Sequence, residues 1–344
     1  MVINTFFESK NYSNMKTNYI LAALAVVALA SCSKSEIVDQ NPTTKDQPIA
    51  FTNYTGATTR ATVLDATGLQ TPGFGVYVIK NSESTLFMDN VNPKGASWDY
   101  SDLKYWPKDE ANNKLNFYFY APHSGSTANI AAPVFTSAGD KTVAFTVNST
   151  IADQTDFLWA APQANLVYSG LGAEKKVNVA FNHALSRIGF TTQRDAEYSG
   201  VTIKVNSVKI KGNFNTSGTL DLTKNTAATV WKSVTPVADT EYAPAIQNNT
   251  NITTDAVQLN TDAQYIMVVP STSEAKTTYT ITVNYDVTSG GVTTNNVITS
   301  AAESLAFEIG KAYTFNIKIG LNAILFTAEV AAWDDQTAAD KTLK

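Results

Sequence analysis

Apolar positions along this chain recur in short runs. Phe74-Gly75-Val76-Tyr77-Val78-Ile79, Leu115 to Tyr120, Val177 to Phe181, Ile188 to Thr192, Val201 to Ile210, Tyr265 to Val269, Tyr279 to Tyr285, Tyr313 to Ile319 and Ile324 to Val330 are rich in β-branched and aromatic residues, and Gly, Pro, Asn, Asp or Ser bounds them. Runs of this kind predict strands. Pro48-Ile49-Ala50-Phe51-Thr52-Asn53-Tyr54 predicts one more strand ahead of them. No long stretch carries the helical spacing of apolar residues. Short strands at such intervals predict an all-β chain of antiparallel sandwiches rather than a parallel sheet with crossover helices.

The segments between these runs divide the chain. Thr55 to Thr62 is a loop of small residues holding the lone Arg60, a place easily reached by a protease. Trp106-Pro107 followed by Lys108-Asp109-Glu110 reads as a turn, and Phe157-Leu158-Trp159-Ala160 as a buried piece. Gly212 to Leu222 reads as a turn and a short strand, Thr235 to Ala263 as a long surface connection, and Ser289-Gly290-Gly291 as a hairpin turn. A Gly- and Lys-containing turn at Gly172 to Lys176 marks the expected boundary between two domains, 48–175 and 176–344.

The N-terminus follows a different pattern. Lys16 precedes an apolar run from Tyr19 to Ala30, too short to span a bilayer and closed by Leu29-Ala30-Ser31-Cys32. Those four residues resemble the lipobox of bacterial lipoproteins, which implies a signal peptide over 1–31, lipidation of Cys32 and a tether over 32–47. Met15 is a better start than Met1 for such a signal. A multiply acylated Cys32 would hold the chain to a membrane, at roughly 0.8 kcal/mol per buried CH₂.

Composition removes several functional classes. Charged residues are 16% of the chain, the net charge is −5 and no basic patch stands out, so the footprint of a nucleic-acid binder is missing. Cys32 is the sole cysteine, which leaves the folded part without disulfides or thiolate sites. His123 and His183 are the two histidines, far apart, and form neither a metal cluster nor a Ser-His-Asp set. His183 reads as a structural residue at the domain junction and Asp334-Asp335 as a solvated turn. Gly73-Phe74-Gly75 lacks the strand-before, helix-after context of a phosphate loop. Aromatics between Trp98 and Trp106 could stack on a sugar, although core packing suits them better because aromatics are plentiful throughout. No cofactor is expected.

Taken in order, the lipobox at Cys32, Phe74-Gly75-Val76-Tyr77, Tyr105-Trp106-Pro107, Phe117-Tyr118-Phe119-Tyr120-Ala121-Pro122, Asp156-Phe157-Leu158-Trp159-Ala160, Phe181-Asn182-His183-Ala184-Leu185-Ser186-Arg187-Ile188 and Ala328-Glu329-Val330-Ala331-Ala332-Trp333 resemble the fimbrillin family, the type V pilins of Bacteroidales. The resemblance implies two tandem transthyretin-like antiparallel β-sandwich domains after a lipoprotein signal peptide. It also implies an outer-membrane precursor that joins other pilin subunits in surface fimbriae serving adhesion. An arginine-specific protease would cut between Arg60 and Ala61, removing the first strand within 48–60, and a strand of a neighbouring subunit would fill the groove.

The residues themselves bear on that exchange. Ile49-Ala50-Phe51-Thr52 and Ile324-Leu325-Phe326-Thr327 are nearly the same tetrapeptide. Alternate residues share a face, so Ile324, Phe326, Ala328, Val330 and Ala332 form one side of a donor strand over 324–333. This free C-terminal strand favours a stalk or lower position over a tip. Cleavage after Arg60 would remove Lys34, Lys45 and Arg60 against Glu36, Asp39 and Asp46, leaving the net charge unchanged. Two other readings remain open at this point: an uncleaved anchor subunit, and a stand-alone carbohydrate-binding surface lipoprotein.

Overall fold

The computed structural model describes residues 46–55, 67–247, 251–272, 274–321, 324–333 and 339–341. Its strands in chain order are β1 (Phe51–Thr55), β2 (Gly75–Lys80), β3 (Leu86–Val91), β4 (Leu115–Ala121), β5 (Val134–Phe135), β6 (Lys141–Thr146), β7 (Leu158–Leu166), β8 (Val177–His183) and β9 (Ser186–Arg194). There follow β10 (Val201–Asp221), β11 (Trp231–Tyr242), β12 (Val257–Gln258), β13 (Ile266–Val268), β14 (Thr277–Ser289), β15 (Val292–Thr299), β16 (Glu303–Leu305), β17 (Lys311–Ile319), β18 (Ile324–Ala332) and β19 (Ala339–Lys341).

They form three sheets. The first runs β1-β8-β7-β4-β2-β3, the second β15-β14-β10-β6-β5 with β11 and β16 alongside, and the third β12-β9-β17-β18-β19 with β13 beside β9. Alternation explains the strands: in β8, Val177, Val179, Phe181 and His183 are buried while Asn178, Ala180 and Asn182 are exposed. Pairing is antiparallel except between β1 and β8 and between β9 and β17, which run parallel.

The second and third sheets pack face to face as a β-sandwich. Ile203, Val205, Val208, Ile210, Ile281 and Val283 meet Ile188, Phe190, Phe315, Ile317 and Ile319 in one core. One face of the first sheet, with Val76, Val78, Phe117, Phe119, Val177 and Phe181, is covered by Leu69, Trp98 and Trp106. Its other face, with Tyr77, Tyr120 and Trp159, packs on Val143, Phe145 and Leu220 of the second sheet. The long strand β10 serves both cores, pairing β14 over Val201–Gly212 and β6 over Ser217–Asp221.

The position 175/176 lies between β7 and β8, which are neighbours in the first sheet, with Leu158 opposite His183; the chain passes from the first sheet to the third at Ala184-Leu185, and β5 and β6 belong to the second sheet. Two expectations of local structure are corrected. The turn expected within Gly212–Leu222 is instead continuous strand, since Gly218 lets Trp231 and the Ser233 carbonyl approach to 2.7 Å of where its Cβ would stand. Within Thr235–Ala263, β11 occupies the first part. It is exposed along most of its length, so no alternation betrays it.

Gly75 illustrates why the Phe-Gly-Val-Tyr motif needs its glycine. A Cβ there would lie 2.0 Å from the Tyr120 ring, whose hydroxyl donates to Asn90 Oδ1 at 2.6 Å from across the strand. Gly75→Val is expected to lower the unfolding free energy by about 1–3 kcal/mol through overpacking, read as a fall in the urea midpoint at constant m-value.

Candidate functional site

The candidate site is a strand slot on the first sheet together with the C-terminal strand that resembles its occupant. Residues 47–49 pair with an extended segment on one side: Trp106 N–H donates to Gln47 O at 2.9 Å, Ile49 N–H to Lys104 O at 2.8 Å, and Tyr100 Oη to Ile49 O at 2.8 Å. Residues 50–55 then pair with β8, beginning with Val177 N–H donating to Ala50 O at 2.8 Å and continuing from Phe51 opposite Val177 to Thr55 opposite Phe181. Both sides of the segment are thus bonded along the main chain in succession.

The side chains seal the slot. Ile49 and Phe51 are each 1% exposed. The Phe51 ring meets Phe74 edge-on at 5.8 Å and lies 5.8 Å from Tyr100 and 6.3 Å from Phe117. Burying two such side chains contributes roughly 1.5–3 kcal/mol each. Emptying the slot would bare Phe74, Phe117 and Val177 together with unpaired main-chain groups of β8.

The C-terminal strand is not free, as expected from sequence, but folded back: β18 pairs antiparallel with all of β17, from Lys311 opposite Ala332 to Ile319 opposite Ile324. An isolated apolar strand would leave its own face and main chain in water, and β17 relieves both. The expected face is the one turned inward. Ala328 is in the core, Ile324, Phe326 and Val330 pack against it half-buried, Ala332 is half-buried, and Leu325 on the opposite face is 55% exposed. Among the described residues, β19 covers the outer edge of β18 at Ala328–Val330 alone. Beside Ile324–Thr327 lies an open cleft of about 300 Å³, lined by Tyr279, Ile281, Ile298, Phe315 and Phe326.

At the end of β18 the chain is fastened at Trp333, whose main-chain N–H donates to Gly310 O at 2.9 Å. Its ring stacks on buried His183 at 4.2 Å and 5°. His183 Nδ1 is 2.9 Å from Asp156 Oδ2, and both side chains are buried. The Arg187 guanidinium lies 5.5 Å from the Trp333 ring and 4.8 Å from Tyr265. His183 is thus part of the packing between the C-terminal strand and the octapeptide 181–188, which touches all three cores. Sequence reading noted both motifs but not their contact, since nothing local links positions 150 residues apart.

Other candidates place as follows. Cys32, Arg60, Ala61 and Asp334-Asp335 lie outside the described residues. Trp98 and Trp106 are buried in the core around the slot rather than forming a sugar platform. His123 caps a turn, accepting from Gly125 N–H at Nδ1, and burial lowers its pKa. Among the described residues no group of three or more His, Cys, Asp or Glu could hold a metal ion.

A fimbrillin-like family model matches residues 59–333, and the chain belongs to that family. It is 23% identical over 378 aligned positions to fimbrium subunit Fim1C of Phocaeicola vulgatus, covering 95% of this chain and 99% of that protein. A fimbrial protein from Bacteroides vulgatus, solved by crystallography, shares the fold with a TM-score of 0.65 and 19% identity over 84% of this chain and all of the other.

Phe51→Ala and Trp333→Ala are each expected to cost about 3–5 kcal/mol of stability, because both rings leave cavities in closed packing. Urea denaturation of the purified chain measures this; unchanged midpoints would contradict the packing described.

Proposed function

We propose that this protein is a structural subunit of surface fimbriae, not an enzyme, and that it polymerises by donor-strand exchange in the service of adhesion. The precursor is a lipoprotein held in the outer membrane through Cys32. An arginine-specific protease cuts after Arg60, and the strand containing Ile49 and Phe51 leaves its slot. The C-terminal strand of another subunit then enters the slot, main-chain groups giving affinity and the pockets of Ile49 and Phe51 giving register.

One observation carries this reading: two near-identical tetrapeptides stand in unequal environments. Ile49 and Phe51 are each 1% exposed, whereas Ile324 and Phe326 are half-buried beside an open cleft. A strand carrying Ile324 and Phe326 therefore gains side-chain burial by moving into a neighbour's emptied slot. The folded-back β18 keeps that strand covered until a slot is available.

The test is mass spectrometry of filaments shaved from intact cells. The expected mature N-terminus is Ala61, and Arg60→Ala should leave chains starting at acylated Cys32 and absent from filaments. Removing Ile324 to Lys344 should abolish polymers while the slot still accepts a donor. Filaments built from uncleaved chains, or polymers from the truncated chain, would contradict the reading; a monomeric acylated chain would make the protein an anchor subunit.

A further inference from the structure

The second sheet has an edge that lacks the usual protection. Sheet edges are blunted by charge, proline, bulges or short length, because a row of unpaired N–H and C=O groups otherwise recruits another strand. Edge strand β3 carries Asp89 and register shifts against β2. Edge strand β11 carries Lys232, Pro236, Asp239 and Glu241, with register shifts against β10. Strand β15, Val292-Thr293-Thr294-Asn295-Asn296-Val297-Ile298-Thr299, has no charge and no proline, and pairs with β14 in unbroken register from Ser289–Val292 to Thr282–Thr299. On its other side it meets no strand among the described residues. Val292 at 68% and Val297 at 64% are the most exposed large hydrophobic residues described.

The direction of its main-chain groups follows from the hairpin. A two-residue turn, Gly290-Gly291, closes on Ser289 and Val292, and further along Ser300 N–H donates to Ile281 O at 2.8 Å. Bonding toward β14 thus falls on the even-numbered residues. Alternation then points the N–H and C=O of Thr293, Asn295, Val297 and Thr299 outward. An incoming strand must offer its own outward groups to these four positions.

We propose that β15 pairs antiparallel with β15 of a second copy, about a two-fold axis passing beside Asn295. Matching outward groups to outward groups admits only registers in which odd residues face odd residues. The central one sets Asn295 opposite Asn295 and Thr293 opposite Val297, and puts Val292 opposite Ile298. Like charges directly opposite one another would oppose self-pairing, and this strand has none. Val292 and Ile298 cover one another and Val297 lies against Thr293, each contact made twice about the axis, as an isologous contact requires. The occupant is therefore a second copy, because the edge is complementary to itself. The contact goes beyond donor-strand exchange and rests on that reading only for its consequence: a single short strand pair is weak, but repeated along two polymers it holds fimbriae side by side.

The test uses the purified full chain carrying Cys32→Ser, so that an added cysteine is the sole thiol. Paired residues lie about 4.5–5.5 Å apart between Cβ atoms, so Asn295→Cys should form a disulfide-linked dimer under mild oxidation. Asn284→Cys on β14, one strand inward on the same face, should not. Thr293→Lys with Val297→Lys sets like charges opposite each other and should abolish the dimer; Thr293→Lys with Val297→Glu should restore it. A monomeric Asn295→Cys chain, equal cross-linking from position 284, or a dimer that survives the double lysine would each overturn the proposal. None of these outcomes depends on cleavage at Arg60 or on polymerisation, so failure here leaves the proposed function standing.

Discussion

A slot between two main-chain partners has to be filled by a strand. Gln47 and Ile49 bond to the 104–106 segment, and Ala50 and its followers bond to β8, while Ile49 and Phe51 plug a core of Phe74, Phe117 and Trp106. Water could satisfy the main-chain groups of an emptied slot but not its apolar lining. The occupant must therefore be extended and apolar at alternate positions. That requirement makes the first strand replaceable in principle, because it specifies a pattern rather than a particular segment.

The rest of the molecule is arranged so that replacement need not unfold it. The first sheet has a second face that packs on Val143, Phe145 and Leu220, held by β10 and independent of the slot. The sandwich of the second and third sheets has its own core, and β18 lies near its margin rather than its centre. Trp333, stacked on His183 and backed by Asp156, fastens the end of that strand to the octapeptide joining the sheets. Departure of β18 must break this contact, which sets a barrier to premature exchange.

Sequence made the strands with one buried face legible, because burial on one side imposes a period of two. Val177 to Phe181 and Tyr313 to Ile319 are of this kind. It failed where that cause is missing. Trp231 to Tyr242 is exposed along most of its length, so its residues carry no alternation, and Gly218 sits inside a strand because a partner comes close. The parallel partnership of β1 with β8 and the meeting of His183 with Trp333 depend on tertiary arrangement across long stretches of chain. For the candidate site, the repeated Ile-x-Phe-Thr pattern was visible, but its significance lies in unequal burial, which only the folded chain provides.

The most direct test of the exchangeable slot is displacement in a single purified chain. After cleavage at Arg60, a synthetic peptide of residues 320–333 is added, and the fragment containing Ile49 and Phe51 is followed by mass. The account predicts that the peptide expels the fragment from cleaved chains, remains bound in its place and leaves uncleaved chains untouched. A fragment retained against excess peptide, or peptide bound equally to uncleaved chains, would contradict it.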